Sequence, residues 1–167
     1  MRNNIYNAIA KTLADRYTTI YYVDLATNHY LQYSASDDYK ELEVPPEGDD
    51  FFSETCRNVQ RFIHPDDRET VEKISDKEYM KSATEDGRNF MADYRLIMHD
   101  GAHYMRLKAV RTEDLNNLII ALENIDDEMK SREELKAISE KNVVFAQVAE
   151  SLAKRYGMIY YIDTETD

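Results

Sequence analysis

Ile5, Ile9, Leu13 and Tyr17 fall four residues apart, with Tyr6 and Ala10 beside them. That spacing gives an amphipathic helix over residues 3–17. The period then changes. Thr19-Ile20-Tyr21-Tyr22-Val23-Asp24 is rich in β-branched and aromatic side chains, as strands are. Ala26-Thr27-Asn28 reads as a turn, and residues 29–33 return as a second strand, making a hairpin. Residues 34–50 are polar, with Pro45-Pro46 and Gly48, and predict a loop with short helical turns at most. Phe52, Cys56, Val59 and Ile63 then share one face of a helix over residues 51–63. Pro65 opens the next helix, because its missing N–H suits the first helical position. Asp66 and Asp67 follow at the positive end of that helix dipole, with Val71 and Ile74 facing inward. A short helix over residues 77–84 comes next.

Phe90, Ala92, Tyr94, Leu96 and Met98 lie on one side of a strand over residues 90–98. Asp100-Gly101 is a strong hairpin signal. The return strand, residues 104–111, carries Met105, Leu107 and Ala109 on one face and Arg106 and Lys108 on the other. Asn116-Asn117 makes a second turn before a strand at 118–125. The order is a helix, two strands, a helical insert, then a three-stranded meander. It predicts an α+β fold: a five-stranded antiparallel sheet with helices on one face.

From Asp126 to Tyr156 neither Gly nor Pro intervenes, so one long helix is expected. Leu135, Asn142, Ala149 and Tyr156 are spaced by seven, as are Ile138, Phe145 and Leu152. That is an a/d seam, and it predicts a homodimer paired along this helix. A buried Asn142 would fix the register. The competing reading is a single helix packing on whatever follows it.

The beginning of the chain recurs at its end. With Arg16 set on Arg155, Ala10, Leu13, Ala14, Tyr17, Ile20, Tyr21, Tyr22, Asp24 and Thr27 all find identical partners. A repeat of that kind marks a tandem array. The expected division is one module with its N-terminal helix over residues 1–126, a linker helix over 127–157, and the first strand of an interrupted second copy over 158–167.

A formal net charge of −12 argues against nucleic acid or an anionic membrane surface as partner, since phosphate binding needs clustered Lys and Arg. No stretch approaches the roughly 20 apolar residues that span a bilayer. Cys56 is the single cysteine, so no intrachain disulfide forms, which fits a reducing cytosol. The first residues lack a signal-peptide pattern, and the expected location is cytoplasmic.

Several segments together resemble a PAS domain followed by the start of another. They are Tyr21-Tyr22-Val23-Asp24, Val59-Gln60-Arg61-Phe62-Ile63-His64-Pro65-Asp66-Asp67-Arg68, Tyr94-Arg95-Leu96-Ile97 with Asp100-Gly101, and Glu123-Asn124-Ile125-Asp126 ahead of the long helix. The resemblance covers residues 3–130. It implies a sheet acting as a palm with the central helices closing over it, and a signalling helix from Asp126. The likeness is greatest to sensory PAS domains of bacterial proteins that end in a GGDEF diguanylate cyclase or a histidine kinase. Neither output motif lies in this chain, so no enzyme activity is expected of it.

Cys56-Arg57-Asn58-Val59-Gln60 matches the Cys-Arg-x-x-Gln of photoactive flavin-binding PAS domains. The resemblance puts that subfamily's ring-holding amides near Asp93, Arg106 and Glu123. All three are charged here, and buried charge against a neutral ring is costly. Cys56 is therefore expected as an inert, half-buried thiol, with no flavin. Haem needs an inward axial ligand, and His29, His64, His99 and His103 all sit at strand edges, helix starts or turns. A loose metal site from His99, Asp100 and His103 competes with the plain needs of a hairpin. The expectation is no cofactor and no metal. What remains is a pocket lined by Tyr22, Tyr33, Phe62, Tyr94, Leu96, Met105 and Leu107, able to hold an unknown small molecule. One function follows if it is filled by ligand: a sensory module acting on a downstream output domain through Leu135, Ile138, Asn142, Phe145 and Leu152. The alternative is a ligand-free dimerisation or spacer module with a packed core.

Overall fold

A computed structural model of the chain describes residues 16–34, 42 and 44–156. The helix expected over residues 3–17, apart from its last two positions, and the strand expected at 158–167 lie outside the described residues. The elements in chain order are strands β1 (Thr19–Asp24), β2 (Tyr30–Ser34) and β3 (Glu47–Gly48), then helix α1 (Phe51–Phe62) and a short 3-10 turn, Pro65–Asp67. Helices α2 (Arg68–Ile74) and α3 (Lys77–Ala83) follow, then β4 (Phe90–Met98), β5 (Gly101–Arg111), β6 (Asn117–Asn124) and helix α4 (Asp126–Tyr156).

The sheet runs β3-β2-β1-β6-β5-β4 with every neighbouring pair antiparallel. The α+β class is as expected. The strand count is six rather than five, because Glu47–Gly48 adds an edge inside the segment expected to be loop. The pairing sets Tyr21 opposite Ile120 and Val23 opposite Leu118. Those side chains share one face with Tyr30, Tyr94, Leu96, Met105 and Leu107, and that face is the core. Helix α1 covers it with Phe51, Phe52 and Val59, α2 with Val71 and Ile74, and α3 with Met80. Helix α1 starts where the Asp50 carboxylate accepts the Ser53 N–H at 3.3 Å, an N-cap. The β1–β2 turn is built on Asp24, which accepts the N–H groups of Ala26 and Thr27. Asn28 there takes positive φ, then ties the turn to both Asp50 and Lys77.

Two tyrosines lie on the other face from the one expected. Tyr22 is 44% exposed and Tyr33 53%, and in the β1–β2 ladder Ile20 pairs with Tyr33 and Tyr22 with Leu31. Side chains alternate along a strand, so Tyr21, next to Tyr22, and Tyr30, three positions before Tyr33, occupy the inner positions instead. Cys56 likewise is exposed rather than half-buried, although Phe52, Val59 and Ile63 of the same expected helix face are buried.

Gly48 explains how so short a strand can pair. The Tyr30 ring lies over it: a Cβ added at Gly48 would stand 2.6 Å from the ring Cζ and 2.7 Å from the hydroxyl oxygen. Tyr30 is 1% exposed and has nowhere to move. Gly48→Ala should therefore displace the ring and cost about 1–3 kcal/mol in a urea titration. A neutral result would show that Tyr30 has room that the packing does not provide.

The chain divides into two compact units after Asp126. Within the second, α4 presents Leu135, Ile138, Phe145 and Leu152, all exposed, together with exposed Asn142. Among the described residues no helix is long and apolar enough to cross a membrane.

Candidate functional site

A cavity of about 120 Å³ lies between the inner face of the sheet and the first two helices. Its floor is Tyr21, Tyr94, Leu96, Leu107, Ile120 and Leu122. Helix α1 roofs it with Phe51, Glu54, Thr55, Asn58, Val59 and Phe62, and α2 adds Val71 and Ile74. Leu42, Val44 and Pro45 of the connecting segment close one side. Of the side chains expected here, Phe62, Tyr94, Leu96 and Leu107 line the cavity. Met105 is buried in the core but is not on the wall, and Tyr22 and Tyr33 are on the far face of the sheet.

One end of the cavity is aromatic. The Tyr21, Tyr30 and Phe51 rings meet pairwise at centroid separations of 5.9, 5.2 and 5.6 Å, tilted or edge to face, as ring quadrupoles prefer. The Tyr30 hydroxyl donates to Glu54 Oε2 at 2.5 Å. Burial raises the Tyr30 hydroxyl above its ordinary pKa, and the Glu54 carboxylate adds to that. Burial alone pushes Tyr21 up, so both phenols stay protonated and can donate. Tyr21 is 8% exposed, and its hydroxyl has no hydrogen-bond partner among the described residues.

Sequence reasoning missed Tyr21, Tyr30 and Glu54. The signal for Glu54 was its spacing: Phe51, Glu54, Asn58 and Phe62 step by three and four, so a carboxylate sits in an inward stripe. The positions compared with flavin-holding amides face away from the cavity. Asp93 pairs with Arg106 at 2.8 Å, and Glu123 pairs with Lys108 at 2.7 Å, on the outer side of the sheet. Cys56, being exposed, is not on the cavity wall either. Those residues do not fit a flavin seated there.

The roof is tied to the sheet at its far end. Ile63 bridges to Leu96, and the His64 N–H donates to the Arg95 carbonyl at 3.0 Å. Arg95 then gives Asp67 three bonds, from its backbone N–H, Nε and a terminal nitrogen, at 2.9, 2.8 and 3.0 Å. The Arg95 hydrogen bonds hold the Asp67 carboxyl below the usual range against the opposing effect of burial. Asp67 was expected to serve the helix dipole. It makes no side-chain cap bond to α2 and grips the sheet instead.

A second polar cluster stands where β6 passes into α4. His103 sits between two carboxylates: Nε2 is 2.9 Å from Asp100 and Nδ1 2.7 Å from Asp126. Asp126 also accepts the Tyr104 N–H at 2.6 Å and the Asn124 amide at 3.1 Å. Burial opposes the charge on Asp126, but these partners hold its carboxyl below the ordinary range. Among the described residues no group of three or more His, Cys, Asp or Glu is arranged to hold a metal ion. Bonds to Asp100 and Asp126 raise the His103 pKa above its ordinary 6.5. A raised folded-state pKa gives stability that is whole below 6.5 and lost as pH rises through the raised value. His103→Gln should therefore cost about 1 kcal/mol near pH 6 and progressively less toward pH 9, read by urea unfolding at both. A cost that does not change with pH would mean the ring acts only by packing.

No family model matches the sequence, and no curated protein matches it. Among solved structures, an RNA-binding light-oxygen-voltage receptor is similar in shape, with a TM-score of 0.49 and 11% identity. The match covers 80% of this chain and 35% of that one, so the chain spans about a third of the receptor's length.

Proposed function

We propose that this chain is a cytoplasmic sensory module of the PAS type, and that it responds to a small molecule held in the cavity. The observation carrying this reading is the cavity itself, apolar on most of its wall, with the polar side chains of Tyr21, Glu54 and Asn58 set among the apolar ones. A core that serves packing alone is filled by its own side chains. A ligand there touches both the sheet and α1–α2, so it favours whichever arrangement of the two binds it better. A tenfold preference is about 1.4 kcal/mol, enough to shift a balanced pair of states. Helix α4, starting at the clamped Asp126, carries the difference toward an output domain, a diguanylate cyclase or histidine kinase, in a homodimer paired along its apolar row. We assign this segment no catalytic step, no resident flavin or haem, and no nucleic-acid partner; the charge of −12 supports the last.

The exposed row on α4 equally suits a ligand-free dimerisation module. Mass spectrometry of the purified protein under native and denaturing conditions, with an absorption spectrum, separates the two. A mass difference that vanishes on denaturation identifies a carried ligand and narrows its chemistry. No difference, together with no stabilisation by any added small molecule, leaves the dimerisation module.

A further inference from the structure

We propose that the cavity takes a small amine with an apolar body about one ring in size, its ammonium group bonded to Glu54. The inference rests on reading the cavity as a ligand site and adds the class of ligand. Size comes first. An engineered apolar cavity of about 150 Å³ holds benzene, so 120 Å³ with an open side suits one ring and a short polar arm.

Charge selects the arm. Glu54 is half-buried on the cavity wall, and it has no ion pair among the described residues. One of its oxygens takes the Tyr30 hydroxyl, leaving the other to accept. Arg57 of the same helix donates to the Ser53 carbonyl at 3.3 Å; its charge is felt at the Tyr30 hydroxyl, but it makes no direct ion pair with Glu54. A carboxylate on a mostly apolar wall favours a cationic guest, which pairs with it directly. An anionic guest would add like charge beside it. Tyr21 and Asn58 line the same space, and a phenol and an amide oxygen are further acceptors for an ammonium, which carries three donors.

The test uses three probes of one shape on the full chain: benzylamine, benzyl alcohol and phenylacetate. Their affinities are read by calorimetry and by shift in melting temperature, for wild type and Glu54→Gln. Benzylamine should bind at least about tenfold more tightly than benzyl alcohol, since a charge-assisted bond is roughly twice as strong as a neutral one. Phenylacetate should bind worst. Glu54→Gln should bring benzylamine down to the level of benzyl alcohol. Equal binding of all three, or a preference for phenylacetate, overturns the amine while the cavity stands as a ligand site. No binding by any probe overturns both. Should Glu54→Gln fail to fold, the ranking of the three probes on wild type decides alone.

Discussion

Asp67→Ala is expected to destabilise the first unit by about 2–3 kcal/mol, lowering its melting temperature by roughly 10 °C. The carboxylate takes three bonds from Arg95, and the two side chains are only 20% and 24% exposed. Removing it takes the acceptor from Arg95 Nε and from a backbone N–H of an edge strand, both partly withdrawn from water, and leaves the guanidinium only its exposed contact with Asp66. The neighbouring Asp66 is the internal control. It is 72% exposed and meets Arg95 once, at 3.2 Å, so Asp66→Ala should cost no more than about 0.5 kcal/mol. The large effect should also depend on acid. The folded-state pKa of Asp67 lies below its ordinary 3.8, so its contribution is present above that value and is lost as pH falls through the depressed one. Urea titrations at neutral and acid pH check both points. Equal costs for the two aspartates would remove the clamp from the argument. Because Ile63 and Leu96 are both cavity wall and bridge partners, loosening this clamp should also weaken whatever the cavity binds.

What the sequence shows of this fold depends on how local each determinant is. In residues 90–98 the alternation is carried by Phe90, Tyr94, Leu96 and Met98 against Asp93 and Arg95, and β4 spans them all. The run without Gly or Pro from Asp126 to Tyr156 is α4 to the residue. β1 is different. Ile20-Tyr21-Tyr22-Val23 is apolar at four consecutive positions, so either phase of the alternation looks buried. The sheet makes the ambiguity real, because its outer face is also apolar at Tyr22, Leu31 and Tyr33. Asp24 was the available discriminator. It shares its side of the strand with Ile20 and Tyr22, and a carboxylate belongs with water. The functional polar groups were less legible still. Glu54 finds its partner Tyr30 24 positions away, and Arg95 finds Asp67 across 28. No periodicity within one element carries such a pair. β3, at two residues, is too short for any pattern and depends on the absence of a side chain at Gly48.

Ile138→Asp or Phe145→Asp should convert a dimeric protein into monomers without loss of helix. Leu135, Ile138, Phe145 and Leu152 are 68, 56, 69 and 40% exposed along α4, and no described residue of that unit covers them. Together with Asn142 and Ala149 they keep the three-and-four spacing that brings one side of a helix against a copy of itself. In a symmetric pair each substitution is made twice, so two carboxylates enter one apolar seam and face like charge across it. Each costs on the order of a few kcal/mol, and together they exceed what a seam of this length holds. Ser139→Asp, one position off the row, is the control and should stay dimeric. Sedimentation velocity over a concentration series, with far-ultraviolet circular dichroism to follow helix content, reads the result. Asn142→Leu makes the complementary case. An asparagine in the row sacrifices stability to fix register, so the leucine variant should associate more tightly and admit larger species. If wild type and both aspartate variants sediment alike, the apolar row serves some other contact, and transmission along a paired helix has to be abandoned.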